Sequence, residues 1–256
     1  MNSFACRLSD NLLGLMYDLQ SVRYVHSAYE EYSICDPKKR TIHKASVRDR
    51  VVYRLVYNAL YDYFDRRYIH DSYSCRIGKG THAAYRRVRH FINRGSKNYT
   101  KSCYILKFDI KKCFKSIDTC ILKKILARHV EDALLLQIVD GIIDSFKSGL
   151  PLGNLTSQLF INMYLHKLDF YVKHTLASKY YLRYADDIVV VSHDKEKLEK
   201  LYLDIEFFLK HELHLVTHKK VVQSIYAGVD VLGFVFFAKY CRLRRSTERR
   251  AKKKEQ

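Results

Sequence analysis

Apolar residues along this chain follow two periods, one typical of helices and one typical of strands. Apolar positions that recur every three or four residues predict long helices after Ser46 and over residues 194–213. Stretches rich in aromatic and β-branched residues predict strands at 104–108, 180–185 and 188–191. Because helical segments join these strands, the pattern predicts an α+β fold with a split βαβ sheet.

Acidic residues stand at the ends of these three strands. Asp186 and Asp187 lie between the last two strands, which predicts a β-hairpin with both acids at its turn. Asp109 ends the first strand, and we expect the sheet to bring it beside Asp186. Mg²⁺ prefers carboxylate and phosphate oxygens, and it offsets the cost of ionising adjacent carboxylates. The alternative for an isolated Asp-Asp pair is an ordinary solvated turn.

Charge narrows the range of partners. The 256 residues include 46 Lys and Arg against 27 Asp and Glu, a formal charge of +19. Such an excess indicates a polyanion, either nucleic acid or an anionic membrane surface. No apolar run approaches the roughly 18 residues that span a bilayer, and the start does not read as a signal peptide, so no membrane partner is expected. Seven cysteines without a C-x-x-C pair indicate reduced thiols in a cytosolic protein.

Two sequence motifs of this chain resemble those of a known family. Tyr184-Ala-Asp-Asp187 resembles the Y-x-D-D signature of reverse transcriptases, and Phe108-Asp109-Ile110 with Phe114 resembles their first catalytic motif. The likeness implies a right-hand polymerase with fingers over a ferredoxin-like palm that carries the Y-x-D-D hairpin. The implied domains are fingers at 1–102, a palm at 103–238 in which 125–160 is partly a fingers-like insertion, and a basic tail at 239–256. That tail would begin a truncated thumb, so the thumb is expected to be minimal or missing.

The resemblance also implies the chemistry. The primer 3′-hydroxyl would attack the α-phosphate of a deoxynucleotide, with RNA as the template. Asp109, Asp186 and Asp187 would be the catalytic residues and metal ligands, with Asp186 the closer ligand of the pair, and the backbone carbonyl of Ile110 could also reach a metal. The implied cofactors are two Mg²⁺ ions, for which Mn²⁺ can substitute. The implied partners are an RNA template, a DNA or RNA primer and deoxynucleotide triphosphates.

A further set of residues is implied to bind the incoming nucleotide. The basic stretch 37–42 either grips the triphosphate or is a solvated loop. Phe114 stands where the family closes off the sugar 2′ side, although a Phe there is also typical of a core. Lys219 stands where a family lysine can neutralise pyrophosphate, and a solvated lysine is the alternative. The implied nucleotide-binding residues are Arg40, Lys38, Phe114, Leu152, Gly153, Gln158 and Lys219.

Other segments are implied to hold template and primer. Residues 75–82 resemble a fingers segment whose glycines let backbone approach the template, and 228–234 resemble the primer-grip strand. Residues 83–101 combine basic and aromatic side chains, which suits a single-stranded or hybrid nucleic acid or else a solvated helix face. The implied template or primer residues are Arg50, Arg76, Lys79, Gly80, Tyr184, Leu232 and Gly233.

One segment indicates a subclass. Leu152-Gly153 and Ser157-Gln158 stand where many reverse transcriptases have Gln-Gly and Ser-Pro. This form resembles the enzymes of diversity-generating retroelements, which copy with errors mainly at template adenines. An aliphatic Leu152 offers the nucleotide no side-chain hydrogen bond, and losing such bonds usually lowers selectivity.

The subclass carries further implications and leaves rivals. It implies a small basic helical accessory protein that forms a ring, and a cytoplasmic protein of a bacterium, archaeon or phage. A group II intron-like or retron-type reverse transcriptase is one alternative. A catalytically weak RNA-binding protein with a polymerase fold is the other, and the presence of all three acids counts against it.

Overall fold

The computed structural model describes residues 3–35 and 39–254. The helices are α1 (Ser3–Cys6), α2 (Leu8–Gln20), α3 (Val47–Asp65), α4 (Thr81–Gly95), α5 (Cys113–Ser116), α6 (Thr119–Ala127), α7 (Ala133–Asp144), α8 (Leu155–Phe170), α9 (Lys195–Glu212) and α10 (Arg245–Lys254). The strands are β1 (Glu30–Ile34), β2 (Arg40–Lys44), β3 (Ser72–Tyr73), β4 (Tyr104–Ile110), β5 (Tyr181–Tyr184), β6 (Asp187–Ser192), β7 (Thr217–Ser224), β8 (Val229–Val231), β9 (Phe234–Phe236) and β10 (Cys241–Leu243). No helix within the described ranges is long and apolar enough to span a bilayer.

The chain forms two compact units. Residues 1–67 and 112–165 make the first unit, and residues 68–111 and 166–256 make the second. Residues 68–102, expected in the fingers, therefore pack with the sheet that carries the three acids. The names fingers and palm, and the boundary between residues 102 and 103, stay predictions.

The second unit is built on a five-stranded sheet in the order β3-β5-β6-β4-β7. Strand β4 lies in its middle and pairs antiparallel with both β6 and β7. On one face, Ile105, Val189 and Val191 form a buried cluster with apolar residues of α4. On the other face, the Phe108 ring packs edge-on against Tyr202 of α9, with ring centroids 5.4 Å apart. The mixed α+β prediction is confirmed.

The first unit has a β1–β2 hairpin and several capped helices. The Ser46 hydroxyl accepts a hydrogen bond from the backbone N–H of Asp49 at 3.1 Å, which begins α3 as the sequence predicts. Asp118 caps α6 in the same way, through Cys120 and Ile121. The buried Asp49 carboxylate also accepts the Tyr24 hydroxyl at 2.8 Å, so the chain between α2 and β1 is tied to α3.

The segment at 228–234, expected as one strand, contains strand β8 and a turn that leads into β9. β8 and β9 pair antiparallel, and Leu232 and Gly233 join them with φ angles of 51° and 87°. Positive φ at both central residues is the requirement of a type I′ hairpin turn. The apolar pattern of this segment therefore belongs to two short strands that fold back on each other, in a three-stranded sheet with β10.

Candidate active site

Asp109 and Asp187 occupy directly opposed positions on β4 and β6. Opposed residues of an antiparallel pair project from the same face, with Cβ atoms about 4.5–5.5 Å apart. Asp186 adjoins them in the two-residue turn that joins β5 to β6, since Tyr184 pairs with Asp187. The predicted hairpin is present, but Asp109 lies directly opposite Asp187 and not, as predicted, beside Asp186.

The turn itself is tight. Its first central residue, Ala185, has a φ of 52°. Primed turns have a positive φ at this position. They are favoured in hairpins because their twist matches that of the flanking strands. The backbone N–H of Ala185 also donates to the carbonyl of Tyr73, which ties the turn to β3. The position of Asp186 is therefore set by backbone bonds on two sides.

Burial and like charges raise the free energy of the ionised site. Burial raises the pKa of the Asp187 carboxyl above its ordinary value, and the charges of Asp186 and Asp109 add to this. Lys107 opposes the shift. Its position two residues before Asp109 places it on the same face of β4, where its ammonium donates to the backbone carbonyl of Asp230 at 2.9 Å.

The donor atoms fit a divalent cation. Asp109 Oδ1 is buried and has no hydrogen-bond partner. A buried carboxylate oxygen without a donor is costly unless a ligand compensates it, and Mg²⁺ is bound through one or two carboxylates together with phosphate and water oxygens. Over residues 3–35 and 39–254, no group of three His, Cys, Asp or Glu side chains forms a ready-made ligand set. The two opposed carboxylates would therefore hold the ion, with Asp186 adjoining and the remaining positions open to phosphate and water.

A fourth acid, Asp169 of α8, lies on the opposite face of the same hairpin, and sequence reasoning missed it. The guanidinium of Arg183 is fully buried and makes a bidentate pair with Asp169 of α8, at 2.8 and 2.7 Å. The Tyr181 hydroxyl donates to the same carboxylate at 2.7 Å. Arg183 also donates to Ser72 Oγ and to the backbone carbonyl of Ala185, both at 3.0 Å.

This network joins α8, β3 and β5 to the turn that carries Asp186. Its sequence signal is the strand alternation, because Arg183 falls at a position that the pattern assigns to a buried face. A buried arginine requires a partner. Nothing in the sequence identifies Asp169 as that partner. His218 stands directly opposite Asp109 on β7 and is exposed.

Several predicted nucleotide-binding residues belong together in the first unit. The backbone N–H of His43 in β2 donates to the carbonyl of Leu152 at 3.0 Å, and β2 begins at Arg40, which is exposed. The N–H of Leu150 donates to the carbonyl of Phe114 at 2.7 Å. Arg40, Phe114 and Leu152 therefore lie on segments that hydrogen bonds connect.

Glycine is required at two positions of the loop that precedes α8. Gly153 has a φ of 104°, and a Cβ there would lie 2.7 Å from Ile42 Cγ2. Gly149 has a φ of 66°, and a Cβ there would lie 2.3 Å from the Phe114 carbonyl oxygen. Both contacts are closer than real Cβ atoms allow. Gly153 is therefore explained by close packing onto β2.

The remaining nucleotide candidates are separate from this loop. Lys38 lies outside the described residues. Gln158 is half-buried in the first turn of α8. Lys219 is exposed on β7, with a φ of 54°, at a β-bulge where Lys219 and Lys220 both oppose Phe108. Lys220 pairs with Glu199 of α9. The roles of Lys38, Gln158 and Lys219 stay predictions.

The template and primer candidates occupy different settings. Arg76 donates to the carbonyls of Ile69 and Ser72 at 2.9 and 3.0 Å, so these bonds brace its own loop. Lys79 donates to the carbonyl of His70. Tyr184 OH lies 3.1 Å from Thr81 Oγ1, at the start of α4.

The other template and primer candidates are at turns and helix starts. Gly80 is the N-cap of α4 and has open space around it. Arg50 is exposed on the first turn of α3, in the first unit. Leu232 and Gly233 form the β8–β9 turn. The contacts of all these residues with nucleic acid stay predictions.

The mixed sheet places two acids opposite each other on β4 and β6, with a third in the turn that joins β5 to β6. The sequence model described as "Reverse transcriptase (RNA-dependent DNA polymerase)" matches residues 35–236. The chain belongs to this reverse transcriptase family.

Two curated relatives are intron proteins of yeasts. The chain is 21% identical to the "Putative COX1/OXI3 intron 2 protein" of Saccharomyces cerevisiae, over 91% of this chain and 34% of that protein. It is 25% identical to the "Uncharacterized 91 kDa protein in cob intron" of Schizosaccharomyces pombe, over 53% of this chain and 17% of that protein. The chain thus spans about a third or less of the length of these relatives.

Solved telomerase structures share the fold. Apo telomerase from Candida tropicalis aligns with a TM-score of 0.61 at 15% identity, over 86% of this chain and 49% of that chain. Telomerase from Candida albicans in complex with the TWJ fragment of telomeric RNA aligns with a TM-score of 0.63 at 12% identity, over 92% of this chain and 50% of that chain. These likenesses support the right-hand polymerase fold predicted from the sequence.

Proposed function

We propose that the protein synthesises DNA on an RNA template by two-metal nucleotidyl transfer. The observation that carries the proposal is the opposed pair Asp109 and Asp187, with a buried Asp109 oxygen that lacks a hydrogen-bond partner and Asp186 adjoining. In the reaction, the primer 3′-oxygen bonds to the α-phosphorus, the bond to pyrophosphate breaks, and the proton of the 3′-hydroxyl passes to solvent. Bound Mg²⁺ supplies a lowered pKa at that hydroxyl and charge stabilisation at pyrophosphate.

The protein's own residues contribute binding and positioning, which supply most of the rate in phosphoryl transfer. The carboxylates of Asp109, Asp186 and Asp187 hold the metal ions, for which Mn²⁺ can substitute. Lys107, on the same face, moderates the repulsion among the acids. The hydrogen-bonded segments that carry Phe114, Leu152 and Arg40 form the proposed nucleotide-binding element. The proposed partners are an RNA template, a DNA or RNA primer and deoxynucleotide triphosphates.

Primer extension on an RNA template tests the proposal. The wild-type protein with Mg²⁺ is expected to extend the primer, and Asp186→Asn with Asp187→Asn is expected to abolish extension. Asp204→Asn is a matched control, because Asp204 is an exposed carboxylate on α9 of the same unit. Unchanged extension by the double variant would refute the assignment.

We further propose the diversity-generating subclass, which the pairs Leu152-Gly153 and Ser157-Gln158 support. Leu152→Gln restores an amide where the family has a hydrogen-bonding group. We expect it to lower misincorporation at template adenines, because hydrogen-bond discrimination returns. Leu203→Gln, at an exposed position of α9, is the control. An error spectrum that Leu152→Gln does not change would count against the subclass.

An intron-type reverse transcriptase is the second candidate, and one observation favours it: both curated relatives carry the word intron in their names. The DNA around the gene separates the two. A near-duplicate pair of repeats that differ mainly at adenines supports the diversity-generating subclass, while an intron around the reading frame supports the other. Co-purification of a small basic helical protein from the native host would support the ring-forming accessory partner.

A further inference from the structure

Helix α4 carries an exposed row of basic and titratable side chains that the proposed chemistry does not use. His82, Arg86, His90 and Arg94 follow one another at intervals of four, and all four are exposed. Residues four apart in a helix are neighbours on its surface, so the four side chains form a row that winds partly around the helix. The row spans about 18 Å, since each helical residue rises about 1.5 Å.

This row leads away from the carboxylates. Thr81, which begins α4, lies 3.1 Å from the Tyr184 hydroxyl, beside the hairpin turn. Gly95 ends α4 against the far end of β6, where a Cβ on Gly95 would lie 3.1 Å from Val191 Cγ1. Asp187 and Val191 are four residues apart on β6, about 13 Å along the strand. The far end of the row therefore lies well beyond reach of the acids.

A cavity of about 560 Å³ opens at this far end. Its walls come from the last turns of α4, the turn that follows, and the two residues directly before β5. The basic residues that line it are Arg87, His90, Arg94, Lys97 and Lys179, and its described lining includes no acidic side chain. The amide side chains of Asn93 and Asn98 add hydrogen-bonding groups.

The net charge of the cavity comes from three of these residues. Arg87 is paired with Asp71 at 2.6 Å and lies over the Phe91 ring, 4.7 Å from its centroid, so it forms a wall of fixed position. Arg94, Lys97 and Lys179 are exposed around the opening. Three cations without an acid among them favour a ligand with several negative charges.

We propose that this cavity and the row on α4 bind the phosphodiester backbone of a nucleic-acid strand that extends beyond the segment held at the carboxylates. A row of cations at regular spacing that ends in a basic cavity matches a polymer of phosphates better than a single small anion. At about 3.4 Å per nucleotide, the 18 Å row corresponds to about five nucleotides. The choice of RNA as the strand rests on the proposed function, while the phosphodiester chemistry does not.

A triple variant, Arg94→Gln with Lys97→Gln and Lys179→Gln, removes the three cations at the opening. The matched control is Lys195→Gln with Lys197→Gln and Lys200→Gln, which removes the same charge from exposed positions of α9 in the same unit. Affinity for a fluorescent single-stranded RNA is measured over a range of salt concentrations, without nucleotides or divalent metal. Thermal melting of each variant confirms that it is folded.

For an RNA of about 25 nucleotides, the triple variant should lower the slope of log affinity against log salt by about 2, from three contacts at about 0.7 each. The control should leave this slope nearly unchanged. An RNA of about four nucleotides, too short to reach from the hairpin to the cavity, should show a much smaller difference between the triple variant and the control. A DNA strand of the same sequence shows whether the site distinguishes the two sugars.

Equal losses in the triple variant and the control would overturn the proposal, because the effect would then be general charge. Equal losses for long and short RNA would overturn it as well, because the cavity would then be an isolated phosphate site. The binding assay needs no catalysis. A protein that fails to extend primers but shows the predicted slope and length dependence therefore refutes the proposed function and leaves this site intact. A protein that extends primers but lacks that slope and length dependence refutes this site and leaves the proposed function intact.

Discussion

Asp169, which is buried, and Asp109, which is half-buried, lie on opposite faces of the same end of the five-stranded sheet, and their surroundings differ. Asp169, on one face, receives two bonds from Arg183 and one from Tyr181. Asp109, on the other face, has a buried oxygen without a hydrogen-bond partner and stands opposite another acid. The Asp169 carboxylate thus accepts three hydrogen bonds, whereas Asp109 Oδ1 accepts none. We call the face of the sheet that holds Asp169 the complete face and the face that holds Asp109 the incomplete face.

This difference separates what a carboxylate does for the fold from what it does for chemistry. A buried charge that is paired and hydrogen-bonded positions the elements around it, and removing one partner is strongly destabilising. Carboxylates without donors are costly to the folded protein, and they persist where a ligand completes them. Substitutions on the two faces should therefore change stability in opposite directions.

The largest effect is expected on the incomplete face. Asp109→Asn should lower the rate of primer extension by about a thousandfold or more, because the loss of a metal clamp costs several kcal/mol of transition-state stabilisation. In chelator, the same substitution should leave the unfolding midpoint unchanged or raise it, because it removes repulsion with Asp187. Extension is measured by gel and unfolding by thermal melting. A variant that loses activity only because it unfolds would break the comparison.

The next effect is on the complete face. Arg183→Met should destabilise the protein by about 3–5 kcal/mol, because it leaves Asp169 buried without its cation. Combining it with Asp169→Leu should recover most of that loss, since a buried ion pair can often be replaced by apolar side chains. Denaturant unfolding measures both. Extension by the double variant should stay reduced, because the bond from Arg183 to the Ala185 carbonyl is missing. Full activity in a stable double variant would show that this bond does not position the turn.

A smaller effect is expected from Tyr181→Phe, which removes one hydroxyl from the Asp169 carboxylate and keeps the ring. The loss should be about 1.5–3 kcal/mol, the range for a hydrogen bond to a charged group. Extension per folded molecule should be unchanged, because Tyr181 makes no recorded bond to the turn. A drop in activity at full stability would place Tyr181 closer to the chemistry than the structure indicates.

The smallest effect concerns pH. Burial and the neighbouring acids raise the pKa of Asp187 above its ordinary value of 3.8. The folded protein therefore binds the proton more tightly than the unfolded chain does, so this group's contribution to stability falls as pH rises from about 3.8 through the raised pKa. In chelator, Asp187→Asn should remove that decline, and its stability advantage over wild type should be greatest at neutral pH. An advantage that shrinks as pH rises would contradict the sign.

The sequence predicts the incomplete face better than the complete one. Asp109 and the Asp186–Asp187 pair each follow or interrupt a predicted strand, so the sequence predicts that they lie near one another, although it indicated Asp186 and not Asp187 as the neighbour of Asp109. Asp169 lies in a helix, and its pairing with Arg183 depends on how that helix packs on the sheet. No local pattern encodes such packing. The turn at Leu232 and Gly233 was missed for a related reason, because a leucine with positive φ carries no turn signal.

The edges of the same sheet have a consequence for association. β3 closes one edge with only two residues, and β7 closes the other with a bulge at Lys219 and Lys220. An outer strand exposes unpaired backbone groups to which another chain can add a strand, and short strands, bulges and lysines are the common defences against this. Replacing the two lysines with threonine and deleting one residue of the bulge would regularise β7, and a tendency to aggregate through this edge should follow.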